Sequence, residues 1–242
     1  MSQVPHTAMV LAAGLGTRMK PLTNDRPKAL VEVHGRALID HVLDRLREAG
    51  VKRAVVNVHA FADRLEDHLS RRRDIEIVIS DERGQLMETG GGFVQARPLL
   101  GDAPVIVCNI DSVWEEPAGS ALKRLAQGYD PRFMAARLML ADMSQCLGFE
   151  GAGDFLMDAE GRLAFRGEAP SAPWAYMGAQ IVDPAIMDGE PLEPFSFSRI
   201  WRRLAEEGRL YGAPLGGFWM HVGDPQARDD AEARGAFEVA LP

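Results

Sequence analysis

The sequence predicts an α/β fold: a mostly parallel sheet with helices on both faces and a small antiparallel extension. Three observations predict it. The apolar run opening MVLAAG reads as a buried strand, after which Gly14 and Gly16 open the backbone into a loop. Short β-branched runs then alternate with stretches of helical period, a pattern that sets parallel strands side by side through right-handed crossovers. Past Leu140 the alternation stops, and two short runs flank a turn sequence, as in a hairpin.

The elements follow in order. Leu38, Ile39, Val42, Leu43, Leu46 and Ala49 recur at helical spacing and Gly50 follows as a C′ residue, so an amphipathic helix ends there. Ala54–Val58 reads as a strand, Phe61, Leu65 and Leu69 mark a second helix, and Ile75–Ile79 the next strand. A third helix is expected to begin inside Thr89–Gly92 and to run toward Leu100. Pro104–Asn109 is the central buried strand, with Asp111 just past its carboxyl end. Ligands bind at that edge of an open α/β sheet, so Asp111 and the glycine loop are expected to face one crevice. This first half is Rossmann-like. Beyond it, Gly153–Met157 and Arg162–Arg166 flank Asp158-Ala159-Glu160-Gly161 as an antiparallel hairpin, and a strand follows near Ala175–Val182. Ser198–Gly208 reads as a helix with Ile200, Trp201 and Leu204 inward, Phe218–Val222 as a short strand and Pro225–Glu238 as a closing helix. There is no internal repeat.

At 242 residues and 46% hydrophobic, the chain can bury one large core, and no low-complexity linker divides it, so a single domain over residues 1–242 is expected. A net charge of −8 argues against nucleic acid and anionic membranes as partners, since both need a broad basic face. Two cysteines make neither a disulfide framework nor a zinc site. Cys108, inside an apolar run, reads as a small buried hydrophobe. The N-terminal stretch lacks a basic region followed by a long apolar one, and no window approaches a membrane span, which points to the cytoplasm. A monomer or small homo-oligomer is expected, without an appended second module. The run Arg71-Arg72-Arg73 is expected to end a solvated helix, where cations complement the dipole.

The chemistry is concentrated in Leu11–Leu30, LAAGLGTRMKPLTNDRPKAL. Glycines let main-chain N–H groups approach phosphate oxygens, and Arg18 and Lys28, with Asp25 the single acid nearby, supply cations to neutralise them. A lone G-x-G is weak; with the Pro21-Leu22-Thr23 turn and the Pro27-Lys28 pair it becomes specific. The stretch resembles the signature of the sugar-1-phosphate nucleotidylyltransferases, LAAG-x-GTRM-x-PLT followed by PK-x-L, and within them is most similar to the bacterial N-acetylmuramate-1-phosphate uridylyltransferases through its length and Glu88-Thr89-Gly90-Gly91-Gly92. That resemblance implies a transfer from a nucleoside triphosphate, UTP, to a sugar 1-phosphate, N-acetylmuramic acid 1-phosphate, with release of pyrophosphate. It implies a nucleotide-binding half at 1–112 and a sugar-binding half at 113–242. The alternatives are another sugar, such as mannose or glucose 1-phosphate, and a lapsed nucleotide-sugar sensor. A dinucleotide-binding dehydrogenase fits poorly, because Met19 occupies the place of the third glycine in its fingerprint.

By the same resemblance Arg18 grips the β- and γ-phosphates, and Lys28 binds the sugar phosphate or α-phosphate. Asp111, in Asn109-Ile110-Asp111, is the carboxylate for Mg²⁺; the plain alternative is that it caps the next helix or turn. Where relatives read W-x-D-V-G, this chain reads Trp219-Met220-His221-Val222-Gly223. His221 is open to three roles: metal ligand, holder of a metal-bound water, or packing residue. Because imidazole suits softer ions, Mn²⁺ or Co²⁺ stand beside Mg²⁺ as candidate cofactors. The base is expected to be read by main-chain groups at Leu11, Ala12, Ala13 and Gly14, with Gly16 and Thr17, and by the loop from Glu82 to Gly90 and Gly91. Glu88 is either a nucleotide or sugar contact or a helix-N-terminal acid, and Thr89 a plausible N-cap. On the sugar side the resemblance places Asn109, Glu168, Tyr176 and Gly178, with Trp174 a weaker candidate; a solvated acid and a core tyrosine are the plain readings of Glu168 and Tyr176.

Overall fold

In the computed structural model residues 4–116 and 119–235 are described. Strand β1 (Thr7–Leu11) runs into the glycine loop, and a two-residue pair, β2 (Glu32–Val33) and β3 (Arg36–Ala37), precedes helix α1 (Leu38–Ala49). There follow β4 (Arg53–Val58), α2 (Ala62–Leu69), β5 (Glu76–Asp81), α3 (Glu88–Leu100), β6 (Val105–Asn109), β7 (Ser112–Trp114), α4 (Ala121–Gln127), β8 (Ala136–Asp142) and β9 (Cys146–Leu147). The chain continues through β10 (Phe155–Met157), β11 (Leu163–Phe165), β12 (Trp174–Val182), α5 (Ser198–Glu206), β13 (Leu210–Pro214), β14 (Trp219–His221) and α6 (Pro225–Ala233).

One sheet carries the molecule. Its strands β6, β1, β4 and β5 are parallel, with Met9 opposite both Val107 and Val55, and Val55 opposite Val78. Antiparallel pairing begins at β12, which binds β6, β8 and the β10–β11 hairpin, and β13 closes the far edge parallel to β8. Two-residue alternation sorts the side chains onto two faces. Ala8, Val10, Val56, Ile106 and Cys108 pack with α1, α2 and α4, whereas Met9, Val55, Val105 and Val107 pack with α3 and α5. Apolar cores on both faces explain why these strands read as continuous hydrophobic runs.

Local signals account for most boundaries. Helix α1 buries Leu38, Ile39, Val42, Leu43, Leu46 and Ala49 and stops at Gly50. There φ is +109°, and the Gly50 and Val51 amides donate to the Leu46 carbonyl at 3.2 and 3.0 Å, the closure that a left-handed C′ residue permits. The hairpin and the strand at Trp174–Val182 stand where the sequence puts them. Closing helix α6 ends at Ala233; the rest of its expected span, from residue 236, lies outside the described residues.

Three expectations are corrected. Helix α3 begins at Glu88, before the glycines rather than inside them, and Gly90, Gly91 and Gly92 are buried within it. Thr89 is not its cap: the Oγ1 accepts from the Phe197 amide at 2.8 Å, tying the helix to a distant segment. The arginine run does not simply end α2 in solvent. Arg72 turns inward to donate to Asp40 at 3.0 Å and Asp44 at 2.8 Å on α1. Asp44 is buried and its charge requires such a partner.

Candidate functional site

The carboxyl edge of the parallel strands opens on a cavity of about 460 Å³, within the range of small-molecule sites. One wall is the loop after β1. Leu11, Ala12, Ala13, Gly14, Leu15, Gly16, Thr17 and Arg18 all line it, as does Lys28. Among the described residues the Gly14, Leu15 and Gly16 amides donate to no protein acceptor, and the exposed Arg18 forms no ion pair. Free amides beside an unpaired guanidinium suit a polyanion. Gly16 has φ +63°, and a Cβ there would meet Lys28 Cβ and Thr23 Cγ2, each at 3.1 Å. The Thr23 hydroxyl donates to the Gly16 carbonyl at 2.8 Å, which fixes the turn.

Beneath this loop lies a buried polar strut. Asn57, inside β4, accepts with Oδ1 from the Ala12 amide at 2.6 Å and the Ala13 amide at 3.2 Å. Its Nδ2 donates to Glu82 Oε1 at 2.7 Å, and Glu82 Oε2 accepts from the Met87 amide at 3.1 Å. Asn57 is 2% and Glu82 1% exposed. Burial pushes the Glu82 carboxyl above its ordinary range, although both donors favour its charge. The strut therefore fixes the glycine loop from below.

Asp111 lines the same cavity. Burial opposes its ionisation, but the neighbouring Lys28 and His221 outweigh that and hold the carboxyl well below the usual range. Lys28 Nζ lies 2.8 Å and His221 Nε2 3.5 Å from the same Oδ2. Oδ1 has no protein partner among the described residues and Asp111 borders the cavity. Two strands bring the acid and the histidine together: β14 pairs antiparallel with β7, with His221 opposite Ser112, and the Val222 amide donates to the Asp111 carbonyl at 2.8 Å. His221 Nδ1 lies 3.1 Å from the Gly148 carbonyl. A further link runs to β12. Ser112 Oγ donates to the Met177 carbonyl and accepts from Trp219 Nε1 at 2.7 Å. There β12 bulges between Tyr176 and Gln180, and Gly178, φ +87°, lies so close that a Cβ would stand 3.1 Å from Ser112 Cβ and 3.2 Å from Asn109 Cβ.

With this geometry in view, the comparisons decide the family. A family model for the MobA-like NTP transferase domain matches residues 8–152. The chain belongs to that family. It is similar to the N-acetylmuramate alpha-1-phosphate uridylyltransferase of Caulobacter vibrioides, 55% identical over 97% of this chain and 98% of the relative. The protein of the same name from Neisseria meningitidis serogroup B is 33% identical over 93% and 96%. A crystal structure of UDP-glucose pyrophosphorylase complexed with UDP-glucose superposes with a TM-score of 0.79 at 18% identity, covering 95% of this chain and 98% of the other; that likeness shows the fold.

The MobA-like span holds the glycine loop, Lys28 and Asp111, while His221 comes from beyond it. Of the residues singled out in the sequence, Asn109 and Glu88 line the cavity with the loop, and Glu88 sits at φ +57°. Glu82, Gly90, Gly91, Glu168, Tyr176, Gly178 and His221 lie off its wall. Glu82 faces Asn57 beneath the loop, and Gly90 and Gly91 give their amides to the Phe195 carbonyl at 2.8 and 3.2 Å. A Cβ on either glycine would collide with the 193–195 segment, so their lack of a side chain serves protein packing here. Tyr176 packs edge-on against Trp201, centroids 4.6 Å apart, and Glu168 is exposed. Asp111 caps no helix, for β7 follows it directly. Thr89 lines it too, with Leu86, Ile110 and Gly223; sequence reasoning gave no site role to Asn57 and Ser196, which also border it. Asn57 had a legible signal: one amide in a strand otherwise wholly apolar after Arg53, and a buried amide requires partners.

Proposed function

We propose that this protein transfers the uridylyl group of UTP to N-acetylmuramic acid 1-phosphate, forming UDP-N-acetylmuramate and pyrophosphate in the cytoplasm. The observation that carries the reading is the convergence of three segments on one cavity: the loop with its free amides and Arg18, the Lys28 ammonium, and Asp111 paired with that ammonium. Near-complete coverage by a relative bearing that activity in its name supports the choice of base and sugar.

The reaction joins an oxygen of the sugar phosphate to the α-phosphorus while the bond to pyrophosphate breaks. The attacking oxygen is already anionic, so no side-chain nucleophile is required, and the task is alignment of two polyanions and neutralisation of charge. Arg18 and the amides of Gly14–Gly16 bind the leaving β- and γ-phosphates. Lys28 moves its ammonium from Asp111 to the phosphate between the two reactants. Asp111, through its free Oδ1, and His221 would hold a divalent ion together with the substrate phosphates. Bound there, such an ion supplies Lewis-acid stabilisation of the phosphates. The Ala12 and Ala13 amides are taken by Asn57, so loop carbonyl groups read the base.

Pyrophosphate release measured over a matrix of sugar 1-phosphates and nucleoside triphosphates tests the proposal. UTP with N-acetylmuramic acid 1-phosphate should give the highest kcat/KM. Faster turnover of mannose or glucose 1-phosphate would overturn the sugar assignment, and nucleotide binding without any turnover would replace the enzyme by a sensor.

A further inference from the structure

We propose that Ser196 is a specificity-determining residue for the acceptor: its hydroxyl donates a hydrogen bond to an oxygen on the sugar of the bound sugar 1-phosphate. The inference deepens the transferase reading and rests on it. Its basis is a Phe-Ser-Phe segment whose two rings are buried while the serine between them is exposed and borders the cavity. Phe195 lies under the Arg199 guanidinium, 3.9 Å from the ring centroid. Phe197 meets Phe93 edge to face, centroids 5.6 Å apart. The backbone on either side of Ser196 is clamped to the first turn of α3. The Phe195 amide donates to the Met87 carbonyl at 3.3 Å, the Phe195 carbonyl accepts from Gly90 and Gly91, and the Phe197 amide donates to Thr89 Oγ1 at 2.8 Å. A side chain carried on so fixed a segment loses little freedom when a ligand arrives.

The hydrogen bonds around Ser196 set which role its hydroxyl can take. The Ser198 amide and hydroxyl donate to Ser196 Oγ at 3.3 and 3.1 Å. A hydroxyl has two lone pairs and one hydrogen, so both acceptor positions are used and the hydrogen is left for an acceptor in the cavity. Its place in the chain says which reactant supplies that acceptor. Among the described residues every other side chain lining the cavity comes from residues 11–111, inside the span matched by the MobA-like model, and Gly223 brings none. That span holds the cradle for the triphosphate. Ser196 is therefore the side chain that reaches in from beyond it, where the second reactant must be recognised. A neutral donor suits the hydroxyl, ether and carbonyl oxygens of a sugar, whereas the phosphates of both reactants go to the cations Arg18 and Lys28.

Steady-state kinetics of the full chain test this, with UTP and the sugar 1-phosphate that the substrate matrix ranks first each varied in turn, beside thermal melts of the same samples. Ser196→Ala should raise KM for the sugar phosphate about three- to tenfold, the loss of one neutral hydrogen bond. Its kcat and its KM for UTP should stay within about twofold, as expected when a binding contact to one reactant is removed. Ser196→Thr keeps the hydroxyl and should restore the sugar KM. Ser198→Ala changes only a hydrogen bond behind Ser196 and should leave every constant at the wild-type value. An unchanged sugar KM in Ser196→Ala overturns the proposal, and so does an equal rise in both KM values, the mark of a nucleotide contact. A lowered Tm with unchanged kinetics assigns Ser196 to the start of α5 alone and overturns it as well. Failure of the transferase reading is seen separately, in wild type, as no pyrophosphate release with any sugar 1-phosphate, and it takes the proposal with it.

Discussion

Replacing Asn57 by alanine removes three hydrogen bonds at once: those from the Ala12 and Ala13 amides and the one to Glu82. Each contributes about 1 kcal/mol net, and the Glu82 oxygen left buried without its donor adds about 1–3 kcal/mol. Water entering from the cavity can solvate the two loop amides, which lowers the sum to roughly 3–5 kcal/mol. For a chain of this length that corresponds to a fall in Tm of roughly 6–20 °C. Denaturant unfolding of Asn57→Ala, Glu82→Ala and the double variant measures the cost and its coupling. Because removing both partners avoids an orphaned carboxylate, the double variant should be less destabilised than the sum of the singles by roughly 1–3 kcal/mol. The sign with pH is also fixed. Burial already raises the Glu82 carboxyl, and losing a donor raises it further, so the deficit of Asn57→Ala should grow as pH rises above 4.5, the ordinary value, and shrink in acid where the carboxyl is protonated. Additive single effects, or a deficit below about 1 kcal/mol, would refute the strut.

Other outcomes follow from the same geometry. Gly178→Ala places a side chain at φ +87° against Ser112 and Asn109; it should destabilise by about 1–3 kcal/mol in a thermal melt and raise KM for the sugar phosphate more than for UTP. The Asp111 carboxyl is depressed, so its contribution to stability is present above 3.8 and is lost as pH falls below that value. Asp111→Asn should flatten this acid limb of an unfolding titration and abolish turnover while keeping native circular dichroism. Burial pushes the Cys108 thiol up to about 12, whereas Cys146 is only half-buried. Ellman's reagent should therefore titrate one thiol slowly in the native protein and both after unfolding.

How much was legible in the sequence depended on whether the deciding partner lay nearby. Helix α1 was readable because its apolar spacing and Gly50 are local, and Asp111 was placed because the end of an apolar strand announces the ligand edge of the sheet. Gly90 and Gly91 were harder: absence of a side chain signals a close approach without saying whether a ligand or the 193–195 segment makes it. Arg72 looked like a solvated helix end because its partners Asp40 and Asp44 sit on an earlier helix. Tyr176 and Glu168 occupy the expected strand and hairpin, yet sequence position gives no side-chain direction, and packing on Trp201 decides the first. His221 was recognised as a departure. What it faces depends on the pairing of β14 with β7, a register set by contacts across more than a hundred positions.

That pairing has a consequence for biosynthesis. Arg18, Lys28 and Asp111 leave the ribosome well before Trp219–His221, the strand that seats the imidazole beside the acid. A nascent chain stalled near residue 200 would already hold the glycine loop, Lys28 and Asp111 but lack the imidazole that stands beside the acid. Ribosome-bound chains of increasing length should therefore acquire turnover in a single late step, as the last strand emerges and docks.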